Sequence, residues 1–254
     1  MSTILITGCS SGFGLDTARH FLERGWDVIA TMRTPKPGVL PASDRLRVLP
    51  LDVTKPDSIR ALADAAGPID ALVNNAGIGL ASIVEGTSLQ TARAIFETNL
   101  FGALAVTQAF LPRLRERKGV IVNVSSSVTH RPLPLLAIYS ASKAALNAFT
   151  ESLALELAPQ GVRVRLVLPG QAPETPFGQN AQAHMREQGV AIPEPYAAFV
   201  KTAFDSMMSR SGPLTRASDV SEAIWRAVTD PSAPMRQPAG ADSITAAQAS
   251  SRNA

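Results

Sequence analysis

Short apolar runs alternate along most of the chain with longer stretches in which apolar residues recur every three or four positions. Thr3 to Thr7, Val28 to Met32, Leu46 to Leu51, Asp70 to Val73, Val120 to Val124 and Val162 to Leu168 are short and rich in β-branched residues, as strands buried on both faces are. Between them, Leu15 to Arg24, Lys55 to Ala66, Leu89 to Arg117 and Tyr139 to Ala158 carry the spacing of helices that bury one side. Lys55 to Ala66 has a proline in its first turn, and Leu89 to Arg117 is long enough for two helices, with Asn99-Leu-Phe-Gly102 at the join or within a bend. Asp219 to Val228 reads as a last helix, Met235 to Pro238 as an edge strand, and the Ala- and Ser-rich end, residues 246–254, as frayed. The alternation, with short connections, predicts one α/β domain over residues 1–254: a Rossmann-type, doubly wound parallel sheet with helices on both faces.

In such a sheet a ligand lies outside the carboxyl ends of the strands. The pattern loosens between Gln171 and Thr215, where Phe177, Met185, Phe199, Phe204, Met207 and Met208 are spaced as on short amphipathic helices. Residues 171–215 are therefore expected to form a lid over a substrate, while any single Met or Phe there reads more readily as core.

Composition narrows the class. The chain has 254 residues, 45% hydrophobic and 18% charged, enough to bury a sizeable core. Its one cysteine, Cys9, has no intrachain partner, and the Met1-Ser-Thr-Ile-Leu-Ile start lacks the basic region of a signal peptide, so a reducing cytoplasm is expected. Contiguous apolar runs such as Phe101 to Val106 are short of a membrane span, so no membrane partner is expected. The formal charge is +3, but lysines and arginines are scattered. The densest group, Arg113, Arg115, Arg117 and Lys118, suits a helix end better than nucleic acid. His20, His130 and His184 have no ligand-type partner three or four residues away, so no metal is expected.

The strand ends carry the candidate chemistry. Gly8-Cys-Ser-Ser-Gly12-Phe-Gly14 lies between the first strand and the first helix, where glycines let a backbone approach a pyrophosphate at a helix amino terminus. The second strand ends in Thr31-Met-Arg33 without the carboxylate that would accept both hydroxyls of an adenosine ribose. Arg33, with the hydroxyls of Thr31 and Ser10 nearby, suits a 2′-phosphate instead, so NADP(H) is expected over NAD(H). The third strand runs into Asp52 and Val53, and the fourth into Asn74-Asn-Ala-Gly77, whose small residues admit a flat ring. The fifth ends in Ser125, Ser126 and Ser127, and beyond a proline-interrupted loop stand Tyr139 and Lys143, stacked at i and i+4 if a helix begins there. A phenol titrates at about 10, and a neighbouring ammonium is expected to lower that toward the range useful for proton transfer.

Together these residues resemble the short-chain dehydrogenases/reductases of the classical type, over most of the chain. Thr7-Gly-x-x-x-Gly12-x-Gly14 resembles that family's cofactor loop, which implies contacts from Gly8, Ser10, Ser11, Gly12, Phe13 and Gly14. Asn74-Asn-Ala-Gly77 resembles its central-strand motif, and Asn99, Ser126, Tyr139 and Lys143 fall where its catalytic tetrad falls; the interval to Tyr139 selects Ser126 and leaves Ser125 and Ser127 structural. The resemblance implies that Asp52, Val53, Asn75, Ala76, Gly77, Tyr139, Lys143, Pro169 and Gly170 line a nicotinamide cofactor with Thr31 and Arg33. Thr175 comes one residue later than the family's usual threonine, and Arg236-Gln-Pro-Ala-Gly240-Ala-Asp242 resembles its last strand. The activity implied is hydride transfer between the cofactor and an alcohol or carbonyl compound. Tyr139 would move the proton, Ser126 would hold the oxygen, Lys143 would bind the nicotinamide ribose, and Asn99 would place a relay water. A homodimer or homotetramer is also implied, and a nucleotide-binding or scaffold member without catalysis is the alternative.

Overall fold

The computed structural model describes residues 2–209 and 212–252. The expectations that fall on Met1, Arg210, Ser211, Asn253 and Ala254 lie outside these. Seven parallel strands, β1 Thr3–Ile6, β2 Asp27–Met32, β3 Leu46–Pro50, β4 Ala71–Asn74, β5 Val120–Val124, β6 Arg163–Pro169 and β7 Arg236–Ala239, form one sheet in the order β3-β2-β1-β4-β5-β6-β7. The chain works outward from β1 to β3, then crosses back so that β4 pairs with the other side of β1, Ile4 opposite Ala71 and Ile6 opposite Val73. That reversal opens a crevice above the carboxyl ends of β1 and β4.

Strand residues alternate between the sheet's faces and so feed two cores. Ile4, Ile6, Val120, Val122 and Val124 pack with Phe21 and Leu22 of α1 (Gly12–Glu23) and with Val220 and Ile224 of α8 (Ala217–Thr229). Leu5, Leu72 and Ile121 meet α2 (Pro56–Ala66), Phe110 and Leu114 of α4 (Gly102–Arg117), and Leu153 and Leu157 of α5 (Ala137–Leu157). Burial on both faces is why these strands read as unbroken apolar runs.

Several boundaries differ from the sequence expectation. Helix α1 begins at Gly12 and not Leu15, because the last glycines of the loop form its first turn. Residues 89–117 form α3 (Leu89–Phe96) and α4 joined through a π-helical turn, Glu97–Phe101, that contains Asn99. The stretch is continuous and 29 residues long with mean hydropathy 1.3 over its most apolar window, so by length and composition it could cross a membrane, which contiguous runs alone did not suggest. Its apolar residues Ile95, Val106, Phe110 and Leu114 are instead buried in the fold.

Residues 171–215, expected to form a lid, hold α6 (Phe177–Glu187) and α7 (Ala197–Met208); Val200 and Ala203 of α7 cluster with Ile83 and Leu135. Helix α8 is not the last: α9 spans Ala241–Ser251, where a frayed end was expected. Its first turn is pinned by polar contacts that hydropathy does not register. Buried Ser243 donates to Leu168 O at 2.6 Å, and Asp242 accepts from Gln171 N at 2.7 Å.

Candidate active site

The glycine loop is held from below by β4. Thr7 Oγ1 accepts from Asn75 N and Ala76 N, both at 2.9 Å, and Asn75 Nδ2 donates to Thr7 O and Gly8 O. Gly8 and Gly12 take φ of +76° and +57°, which other residues rarely adopt. A β-carbon on Gly14 would run into the Gly8 carbonyl. Helix α1 then starts without a side-chain cap: Ser11 makes no capping hydrogen bond, and its first turn has no acidic residue. Uncapped N–H groups at a helix amino terminus, behind a loop bare of side chains, fit a pyrophosphate. Thr175 lies across the crevice, 3.4 Å from where a Gly12 β-carbon would be, so the one-residue offset still leaves it against the loop.

At the end of β2, Arg33 is exposed and its charge reaches Asp52. Burial raises the Asp52 pKa, but hydrogen bonds from Thr54 N and Oγ1 and the charges of Arg33 and Lys55 outweigh it and hold the carboxyl below its ordinary value. Thr31 corrects the sequence reading. It is fully buried and its hydroxyl donates to Ile6 O at 3.1 Å, so the side chain is spent within the sheet and does not face a ribose. Val53 packs against Gly102 at the start of α4.

The reactive groups meet where β4 and β5 end. Ser126 follows β5 in extended conformation, φ −163°, and its hydroxyl accepts from Val128 N at 3.3 Å and lies near enough to the Tyr139 phenol to act on its pKa. Tyr139 and Lys143 occupy successive turns of α5 and both are buried. Lys143 Nζ donates to Val124 O at 3.0 Å and lies 3.5 Å from where a β-carbon on Gly77 would stand. The expected lowering of the Tyr139 pKa by Lys143 is not found here. Burial pushes the phenol up to about 12, with Ser126 acting in the other direction, and burial pulls Lys143 down to about 8. Both groups are short of solvent, and desolvation disfavours the charged form of each.

Asn99 is buried in the π turn with its amide fully engaged: Oδ1 accepts from Ile78 N at 2.9 Å, and Nδ2 donates to Ile78 O at 3.0 Å and Ser142 Oγ at 3.1 Å. Pro169 and Gly170 leave β6 at the far side of the site. Thr215 Oγ1 accepts from Gly170 N at 3.0 Å and donates to Asp242 Oδ1 at 2.6 Å, so the start of α9 holds that turn in place. Sequence reasoning missed Thr215, and had met Asp242 only as the end of a motif. Phe177, the first residue of α6, lays its ring 6.0 Å from that of Tyr139 and against Gly79. Cys9 is buried, donates to Ile6 O, and has a thiol pushed up to about 12 by burial, which excludes it as a nucleophile at neutral pH.

The sequence profile described as short chain dehydrogenase matches residues 2–186. The "Short-chain dehydrogenase PC-15" of Penicillium crustosum is 46% identical over 176 residues, 66% of this chain and 65% of that protein, so the match spans somewhat less than two thirds of the relative's length. Among solved structures, a short-chain dehydrogenase from Streptomyces avermitilis has a TM-score of 0.84 at 31% identity, covering 99% of this chain and 92% of that one. Another, from Burkholderia cenocepacia in complex with NADP, has a TM-score of 0.78 at 29% identity, covering 99% and 94%. A profile match of this extent, on a sheet that superposes almost end to end with these structures, means that the chain belongs to the short-chain dehydrogenase family.

Proposed function

We propose that the protein is an NADP(H)-preferring oxidoreductase that interconverts an alcohol and a carbonyl compound. The observation that carries this reading is the placement of the Ser126 hydroxyl near the Tyr139 phenol, both beside a bare phosphate loop, with Lys143 one turn further along α5. A bound nicotinamide supplies or accepts hydride. The chain does the rest. The α1 amino terminus and the glycine loop take the pyrophosphate, Gly77 leaves room beside Lys143 Nζ for a ribose, and Thr215 and Asp242 fix the turn at Gly170. In reduction Ser126 holds the carbonyl oxygen and Tyr139 protonates it; in oxidation the phenol's oxygen takes the proton back. Anionic ligand charge nearby favours the Lys143 ammonium, whose field opposes the burial that raises the phenol. Because the Asn99 amide is engaged by Ile78 and Ser142, a relay water would bind its main-chain oxygen.

The NADP(H) preference rests on exposed Arg33 and on the missing carboxylate at the end of β2. Phe177, whose ring stands 6.0 Å from that of Tyr139, favours a substrate with an apolar body. Exposed Phe101 and Leu155 on the outer side of the helical layer support assembly of copies, as a dimer or tetramer in the cytoplasm. The test is a panel of ketones and secondary alcohols followed at the nicotinamide absorbance. On any substrate found, Tyr139→Phe should lower turnover by about 10² or more. Near wild-type turnover in Tyr139→Phe, or conversion without net change in the nicotinamide, as an epimerase would give, refutes the reading.

A further inference from the structure

Asn147 touches neither the Tyr139 phenol nor Lys143 Nζ, yet its amide joins the two segments that bring the reactive groups together. It sits one turn beyond Lys143 and two beyond Tyr139 on the same face of α5, 5% exposed. Its Oδ1 accepts from Ser125 Oγ at 2.5 Å. Its Nδ2 donates to Thr129 Oγ1 at 3.1 Å, and that hydroxyl donates in turn to Ser126 O at 2.9 Å. The amide thus grips the chain on both sides of Ser126, through the residue before it and through a residue three beyond it. Ser126 itself has only Val128 N, at 3.3 Å, to steady its hydroxyl within its own loop.

We infer that Asn147 is a positioning residue: it clamps the Ser126 segment to the helix that carries Tyr139 and so sets the distance between the two hydroxyls. This rests on the reading of Ser126 and Tyr139 as the reactive pair. The two ends of the amide do different work that no other side chain of similar shape can do, since Ser125 needs an acceptor there and Thr129 a donor. Leucine keeps the branching at Cγ, though it is somewhat larger, and satisfies neither. A hydroxyl released by even 1 Å from its partner is enough to cost about 10²-fold in turnover.

The chain contains two tyrosines, Tyr139 and Tyr196, which gives a readout that needs no substrate. Protein labelled with ¹³C at the tyrosine ζ carbon should show two resonances, and Tyr196→Phe assigns the one from Tyr139. Ser126→Ala should shift that resonance by removing the hydroxyl beside the phenol. Asn147→Leu should shift it in the same direction and lower kcat by about 10-fold or more, with the NADPH dissociation constant changed less than about 3-fold. The triple variant Asn147→Leu, Ser125→Ala, Thr129→Val removes the hydroxyls that leucine leaves unpartnered. It should recover the thermal midpoint but keep the shifted resonance and the low kcat, whereas a merely structural role for Asn147 predicts that all three recover together. If Ser126→Ala leaves the Tyr139 resonance in place, the reactive pair is misassigned and this inference falls with it. If Ser126→Ala shifts it and Asn147→Leu does not, the inference alone is wrong.

Discussion

The Lys143 ammonium donates to the main-chain oxygen of Val124 at 3.0 Å, on the last residue of the strand that delivers Ser126. The lysine is buried with one carbonyl partner, and desolvation lowers its pKa from 10.5 to about 8. A cation whose pKa falls on folding binds fewer protons in the native than in the unfolded state between those two values. Stability from this group is therefore present above pH 10.5 and lost as pH falls through 8. Relative to Lys143→Met, the wild type should gain stability between pH 8 and 10, by up to roughly 3 kcal/mol over the full interval. Urea unfolding at about pH 7.5, 8.5 and 9.5 checks it, and parallel curves for the two proteins would contradict it. The window closes near pH 10, where Tyr139, raised to about 12, begins to oppose the trend.

Gly14→Ala tests the phosphate loop. The added methyl would meet the Gly8 carbonyl and stand 2.5 Å from Asn75 Nδ2, and neither is a flexible chain end. Overpacking at a site so confined costs about 1–3 kcal/mol and displaces the loop. Titration should show NADPH affinity lower by about 10-fold or more. Gly25→Ala, at a glycine with open space around it and φ +83°, should cost stability with no effect on that affinity.

Where a residue faces a core or a loop of fixed shape, the sequence was readable. The strands alternate between two apolar cores, so Ile4, Leu5 and Ile6 announce β1 in one dimension, and the glycines announce the loop because their positive φ admits little else. What stayed hidden depends on partners far along the chain. Helix α9 is anchored by Asp242 and Ser243 reaching back to Gln171 and Leu168, which an Ala- and Ser-rich stretch gives no reason to expect. Thr31 looked available to a ligand, but its side-chain direction follows from strand pairing and sends the hydroxyl to Ile6. The Tyr139 and Lys143 spacing fixed their adjacency correctly, while the sign of the phenol's pKa shift depended on how deeply both are buried.

Assembly has its own test on α5. Leu155 is 79% exposed, on a helix whose other side is packed into the sheet. If this face meets a second copy, Leu155→Asp places a carboxylate in a dehydrated contact, and light scattering should move from a multiple of 26.8 kDa toward that mass itself. A wild type already at 26.8 kDa at micromolar concentration would rule the interface out.

The proposed preference for NADP(H) turns on Arg33. Nothing at the end of β2 repels a 2′-phosphate: Thr31 is buried, Met32 is apolar, and the nearest acid, Asp52, is already hydrogen-bonded by Thr54 and compensated by Arg33 and Lys55. The exposed guanidinium can therefore pair with the phosphate's oxygens through two parallel donors. A charge-assisted hydrogen bond of this kind is worth about 1.5–3 kcal/mol, or roughly 10- to 100-fold in affinity. Arg33→Ala should thus weaken NADPH by that factor at fixed salt and leave NADH within about 2-fold. Thr31→Asp is a poor converse, because the new carboxylate would point at the Ile6 carbonyl inside the sheet and unfold it. Arg33→Asp avoids that, since the site is exposed; it should reverse the preference by repelling the 2′-phosphate while offering an acceptor to ribose hydroxyls. Equal wild-type dissociation constants for NADPH and NADH, or an equal loss of both in Arg33→Ala, would show that the end of β2 does not read the phosphate.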